Sequence, residues 1–214
     1  MRRVILLLPT PDLLQIANCH KYVTRTSKTY SAIYTLTTIK GQCADVDKIL
    51  VIGHGHPGGF DTATPDQVAT AILESGMDLK AGHKVAFDTC YSATNIPHSA
   101  LDAVENAILA KEKEALIFFH GTTGPSITIG AIDDKRLVVN DAQLGQAGDL
   151  QNKLTDKHGV DLFAQSKDWR DGLPSDTIKV LAQRYYSQLK DFAIEFRSEV
   201  DEFLDKSSSR KDWV

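Results

Sequence analysis

Residues 48–66 read KILVIGHGHPGGFDTATPD, and this stretch decides the fold. Ile49–Ile52 is a short apolar run that stops at Gly53-His54-Gly55. An apolar run of that length, bounded by glycine, reads as a buried strand. Thr64-Pro65-Asp66-Gln67 then opens a helix: Thr64 is the N-cap, Pro65 the first helical residue and Gln67 the third. Val68, Ile72 and Leu73 share one face of that helix, which ends near Gly76. A buried strand followed by an amphipathic helix is the first half of a βαβ unit.

The same alternation extends outward in both directions. Lys84–Phe87 is the next strand and leads into Asp88-Thr89-Cys90-Tyr91-Ser92. Val4–Leu8 is a first buried strand, and Asp12 caps a helix running to about His20. Tyr30–Ile39 is rich in Thr, Ile and Tyr and reads as extended. A helix is expected over His98–Lys111 and a strand over Ala115–Phe119, ending at His120-Gly121. Ile127–Ile132 and Arg136–Val139 form a hairpin about Asp133 and Asp134, which are turn residues. Strands alternating with helices predict an α/β fold with a mostly parallel central sheet and an added β-hairpin.

The remainder divides in two. Residues 140–174 are polar with weak periodicity and read as a long surface loop with short helical pieces. Residues 175–206 carry Ile178, Leu181, Tyr185, Leu189, Phe192, Phe196, Val200 and Phe203 at steps of three and four, the stripe of one long amphipathic helix. That helix either packs along the domain of residues 1–174 or offers part of its stripe to a partner or a second copy. The polar tail, 207–214, is expected to be flexible.

Composition narrows the function classes. The formal charge of −4 over 214 residues gives no electrostatic reason to bind nucleic acid or an anionic membrane. No apolar run approaches the roughly 18 residues of a membrane span. The start, Met1-Arg2-Arg3 and then Val4–Leu8, reads as a strand rather than a signal peptide, because Pro9 and Pro11 follow so short an apolar run. Cys19, Cys43 and Cys90 show no paired spacing, which suits free thiols in a reducing, cytoplasmic setting, with delivery as an effector the alternative.

Ligands and catalytic groups in parallel α/β sheets gather at the carboxyl ends of strands. His54 follows one strand and Cys90 the next, with room for one crossover helix between them. Neighbouring strands lie about 4.8 Å apart, so imidazole and thiol would emerge side by side. Nucleophilic catalysis by a thiol asks for that arrangement. Gly55 allows close approach of a substrate backbone, and the N–H groups of Gly55 and Cys90 are candidate oxyanion donors. Asp88 is placed to orient His54 or to line a pocket for a basic side chain. His56 is a rim or substrate contact, and Ser92 is a further candidate contact or the start of the next helical region. His120 is pocket wall at most, and Cys43 lies in a loop where exposure is expected.

An apolar strand ending in His-Gly (residues 48–55), followed by an apolar strand ending in Asp-x-Cys-x-Ser (residues 84–92), resembles the caspase-like cysteine peptidases. That group includes caspases, legumains, clostripain, gingipains and the self-cleaving domains of bacterial toxins. The resemblance covers roughly residues 48–92, and more loosely the strand order to about residue 140. It implies a caspase-like three-layer sandwich, Cys90 as nucleophile, His54 as base or proton donor, and an oxyanion hole at Gly55 and Cys90. A protein or peptide substrate and no cofactor follow from it. Thr89 stands where many members have Ala, Ser92 where caspases have Gly, and the His–Cys interval is short for the group. Two other readings stay open: a catalytically silent binding or signalling module of the same fold, and a zinc hydrolase using His54 and His56. Zinc would need a third ligand, for which Asp61, Asp88 and His120 are available without a recognisable motif.

Overall fold

The first strand starts two residues ahead of its apolar run and ends one short of it: β1 spans Arg2–Leu7 and buries Val4, Ile5, Leu6 and Leu7 completely. The structure is a computed structural model that describes residues 2–24, 30–94, 99–128 and 136–205. After β1 come α1 (Leu13–Thr24), β2 (Ala32–Tyr34), β3 (Val46–Ile52), and a tight hairpin of β4 (Gly55–His56) and β5 (Gly59–Phe60). Then follow α2 (Pro65–Glu74), β6 (His83–Asp88), α3 (Ala100–Lys111), β7 (Ile117–His120), β8 (Ser126–Thr128), β9 (Arg136–Val138), α4 (Asp141–His158) and α5 (Ser175–Asp205). The expected turn at Asp133 and Asp134, the residues before Ser99 and the tail 207–214 lie outside the described residues.

Five strands pair in the order β2-β1-β3-β6-β7, and each neighbouring pair is parallel. β8 and β9 form the expected antiparallel hairpin. Two apolar layers sandwich the sheet. One joins α1, α4 and α5 to residues such as Ile5, Leu7, Leu50 and Ile52. The other joins α2 and α3 to Val4, Leu6, Val51, Val85 and Phe87. Alternate residues of β1 and β3 serve opposite layers, as the period of two along a strand demands. Right-handed crossovers explain the division: α1 carries the chain from β1 to one edge, whereas α2 and α3 carry it from β3 towards the other, so they fall on opposite faces.

The α2 start is as its sequence dictates, with Thr64 and Gln67 forming a capping box and Pro65 at the first position. The α5 stripe from Ile178 to Val200 is buried in the α1–α4–α5 layer. From Ile178 to Val200 the helix therefore buries its stripe against its own domain. Its 31 residues span about 46 Å at 1.5 Å each.

Two expectations need correction. Only Ala32–Tyr34 of the stretch 30–39 is strand; the Thr35 amide and hydroxyl then meet the Thr38 hydroxyl at 2.9 and 3.2 Å. Threonine hydroxyls offer the backbone a local turn in competition with the ladder. The polar segment 140–174 is not mainly a loop. Residues 141–158 form α4, started by a capping box of Asn140 and Gln143 and ended by Gly159 at φ 64°. Its buried face is Gln143, Ala147, Leu150 and Leu154, a helical stripe diluted by one glutamine and one alanine.

Phe87 anchors the α2–α3 layer, fully buried and stacked between Phe60 at 5.7 Å and Phe119 at 6.4 Å. Phe87→Ala is expected to lower unfolding free energy by about 3–5 kcal/mol, from lost burial plus the cavity left behind. Urea denaturation followed by circular dichroism measures it.

Candidate active site

The strand order reverses between β1 and β3, because β1 connects towards β2 and β3 connects towards β6. Ligands in open α/β sheets bind outside the carboxyl ends of strands at such a switch point. Here the two residues that emerge there meet. His54, past the end of β3, places Nε2 at 2.6 Å from Oδ2 of Asp12, past the end of β1. The other Asp12 oxygen, Oδ1, accepts from the Gln15 amide at 2.7 Å, and the Gln15 side chain accepts from the Asp12 amide at 3.2 Å. Asp12 is thus a helix cap, as its sequence suggested, and also the carboxylate that holds His54. It is almost fully buried, with a side chain 4% exposed against 42% for His54. Its buried charge is met by an imidazole, a backbone amide and the positive end of α1.

The pKa of His54 is raised above its ordinary value, chiefly by the hydrogen bond that the Asp12 carboxylate accepts from it and against the opposing effect of burial. A raised histidine adds stability that is fully present below its unfolded value, about 6.5, and is lost as pH rises through the folded value. The stability gap between the wild type and Asp12→Asn is therefore expected to be widest at about pH 5–6.5 and to shrink towards pH 9. Thermal unfolding across that range checks it; a gap that widens with pH contradicts the pairing.

Cys90 arrives by the same logic. β3 and β6 are neighbours, and their register runs to Ile52 opposite Asp88. The Gly53 amide extends the pairing to the Asp88 carbonyl at 3.4 Å. His54 and Cys90 are the residues two past the last paired position on each strand. A Cβ built on Gly55 would lie 2.6 Å from the Cys90 carbonyl oxygen, so the two loops touch. Cys90 is half-buried, whereas Cys19 and Cys43 are buried. Burial pushes the Cys19 thiol up and takes Cys43 up to about 11. The expected exposure of Cys43 is not found: its sulfur is packed in the α2–α3 layer.

Gly55 sits in the β4–β5 hairpin, whose turn has Pro57 followed by Gly58 at φ 90°, the positions a type II turn favours. The Asp61 amide donates to the His54 carbonyl at 3.3 Å, making His54 and Asp61 a hydrogen-bonded pair. The next pair, Gly55 with Phe60, is then the non-bonded kind, and the Gly55 N–H points out of the hairpin.

The loop bearing Cys90 is fixed from below. Ser92 is fully buried; its hydroxyl donates to the Thr89 carbonyl at 3.2 Å and accepts from the Thr122 amide at 3.1 Å. The Thr122 hydroxyl donates to the same Thr89 carbonyl at 2.8 Å. Ser92 is therefore a structural anchor, not a substrate contact. Among the described residues, Thr10 and Tyr91 are the non-glycine residues with positive φ, at 49° and 55°. One precedes Asp12 and the other follows Cys90. Backbone strain of this kind persists where the surroundings over-determine it, and it clusters at functional sites.

Beside His54 lies a cavity of about 340 Å³ under α4. Asp12, Gln15, Asn18, His54, Asp88 and Gln151 are its polar lining, and Leu144, Phe163 and Phe196 are among its apolar walls. The Phe163 ring meets the His54 ring edge-on at 5.9 Å. Asp88 accepts from the Tyr22 hydroxyl at 3.0 Å. Asp88 thus lines the pocket, and the carboxylate that orients His54 is Asp12. His120 does not line this cavity; its pKa is lowered by burial and by Lys84 and Lys48. His56 is exposed and does not line the cavity; its Nδ1 lies against the Pro57 carbonyl at 3.1 Å and its ring over Gly59. The two histidines therefore point to different partners. Among the described residues no group of three or more His, Cys, Asp or Glu is arranged to hold a metal ion, and no helix is long and apolar enough to cross a membrane.

In comparisons with known proteins, no family model and no curated protein matches this chain.

Proposed function

We propose that this chain is a cysteine endopeptidase of caspase-like architecture, with Cys90 as nucleophile and His54 as its proton-transfer partner. The observation that carries the reading is the pairing of β3 with β6 in a register that ends both strands two residues before His54 and Cys90. The second support is Asp12, which holds the imidazole through Nε2 and so leaves Nδ1 to serve the thiol. A nucleophile, a base and a group that orients the base make the recurring constellation of covalent catalysis.

In this reading Cys90 is the thiolate and His54 the imidazolium, a state favoured by the Asp12 carboxylate. Sγ attacks the scissile carbonyl carbon and forms a C–S bond, while the carbonyl oxygen takes the negative charge. The N–H groups of Gly55 and Cys90 receive that oxyanion. His54 gives its proton to the amide nitrogen as the C–N bond breaks and the amine leaves. Water then attacks the thioester, His54 takes the water proton, and the C–S bond breaks to give the carboxylic acid and the thiolate.

Incubation with a mixed peptide pool and mass spectrometry of the products tests the reading. New termini are expected with the wild type and none with Cys90→Ala; a pool left intact by the wild type overturns it in favour of a silent binding module. A pH profile gives a further check. The upper limb of the bell reports loss of the imidazolium proton, so Asp12→Asn is expected to move that limb to lower pH. An upper limb unmoved by Asp12→Asn removes Asp12 from its positioning role.

A further inference from the structure

We propose that the cavity under α4 is a ligand site for a small, neutral and largely apolar molecule, which meets His54 but leaves Cys90 open. His54 lines the cavity, whereas Cys90 and Gly55 do not. The inference rests on the peptidase reading only for its consequence: a ligand so placed is an effector acting on the base and not a substrate. At about 340 Å³ the cavity sits at the small end of ligand pockets, which start near 300 Å³. That space suits one ring with a short chain.

Charge decides the class of ligand. Among the described residues no lysine or arginine lines the cavity, while Asp12 and Asp88 do, so an anion is repelled. Neither carboxylate calls for a cation. Asp12 is held at both oxygens, by His54 at 2.6 Å and by the Gln15 amide at 2.7 Å. Asp88 accepts from the Tyr22 hydroxyl at 3.0 Å. The rest of the lining suits a neutral molecule. Leu144, Phe163 and Phe196 face an apolar body. The half-buried Gln151 suits one uncharged polar group, because a side-chain amide both donates and accepts.

The entrance is an independent observation. Phe163 is 48% exposed and Leu144 40%, and both also line the cavity. Side chains that are open to solvent and line a cavity stand where the two meet. A single exposed apolar residue needs no explanation, but two at the mouth of an apolar cavity mark a place where ligands bind. The Phe163 ring also meets the His54 ring edge-on at 5.9 Å. A molecule seated beside Phe163 therefore lies against the base.

The test uses the full chain and three probes that share one body: 4-phenylbutanol, 4-phenylbutanoate and 4-phenylbutylamine, titrated calorimetrically. The alcohol is expected to bind one to one with a Kd below about 1 mM, which a molecule of that size can reach. The carboxylate is expected to bind at least tenfold weaker, and the amine no tighter than the alcohol. A Cβ built on Gly148, which lines the cavity from α4, meets nothing within 4 Å. Gly148→Leu can therefore fill the space, and leucine also favours the helix. Phe163→Ala removes a half-exposed wall. Thermal unfolding verifies that both variants fold, and each is expected to weaken alcohol binding at least tenfold. Proton NMR is expected to show the His54 ring signals moving on titration while those of His56 and His120 stay. Protein alkylated at Cys90 is expected to keep its affinity within threefold. Absent binding, an amine that binds tighter than the alcohol, or affinity unchanged in both variants overturns the proposal. Binding abolished by alkylation puts the cavity in the path of the substrate and overturns it as well. No step of the titration uses a peptide, so an uncut peptide pool removes the peptidase reading and leaves the ligand site standing.

Discussion

Replacing Cys90 by alanine is expected to lower peptide-bond cleavage by about 10⁴–10⁶-fold, because residues that act as a nucleophile–base unit fail together. His54→Ala is expected to cost nearly as much, and the double variant no more than the worse single one. That non-additivity separates a dyad from two independent contributors, whose losses would multiply. Cys90→Ala is expected to fold, since the side chain belongs to neither apolar layer. His54→Ala also takes the imidazole from the buried Asp12 carboxylate, so it is expected to unfold at lower temperature, and rates are compared well below that transition. Initial rates on a peptide taken from the wild-type cleavage products measure the effect. Multiplied losses in the double variant would show that the two side chains do not act on one bond-breaking step.

Gly55→Ala is the second large effect. The added Cβ would stand 2.6 Å from the Cys90 carbonyl oxygen, 3.3 Å from the Gly59 carbonyl oxygen and 3.3 Å from the Thr89 Cβ. The nearest of these is backbone and cannot swing aside, so the two loops must part. The Gly55 N–H moves with them, and in the proposed mechanism the oxyanion loses one of its two donors. Loss of one such donor typically costs about 10²–10³ in rate. The effect should fall on kcat, with KM little changed, because the donor is used in the transition state. A rise in KM alone would assign Gly55 to substrate binding instead.

Much of this was legible before the fold was known. Strand–helix alternation, the capping box at Thr64 and the α5 stripe each express a local period or a local hydrogen bond, which short segments carry in full. The pairing of the two strands that lead to His54 and Cys90 was legible too, because one crossover separates them. Asp12 was visible only as a helix cap. Its second role depends on the reversal of strand order between β1 and β3, a long-range fact without a local signature. The sequence leaves Ser92 open between a contact and the start of a helical region for a similar reason: its partner Thr122 comes from the loop after a different strand. Helix α4 was missed because its buried stripe contains Gln143 and Ala147 and its interior two glycines. Its ends did carry signals, namely Asn140 with Gln143 at the start and Lys157, His158 and Gly159 at the close. The cavity needed α4, α5 and the β3 edge together, which no single segment could announce.

The most direct measurement is the rate at which iodoacetamide alkylates Cys90, followed by mass spectrometry of the intact protein and its peptides at pH 7. Cys19 and Cys43 are buried, which makes Cys90 the distinguishable thiol. A thiolate held by an imidazolium reacts faster at this pH than a thiol with an ordinary pKa near 8.5. The account predicts that Cys90 labels first, faster than a cysteine in an unstructured peptide, and that His54→Ala slows it at least tenfold. Equal rates in the wild type and His54→Ala, no faster than the peptide, would contradict it.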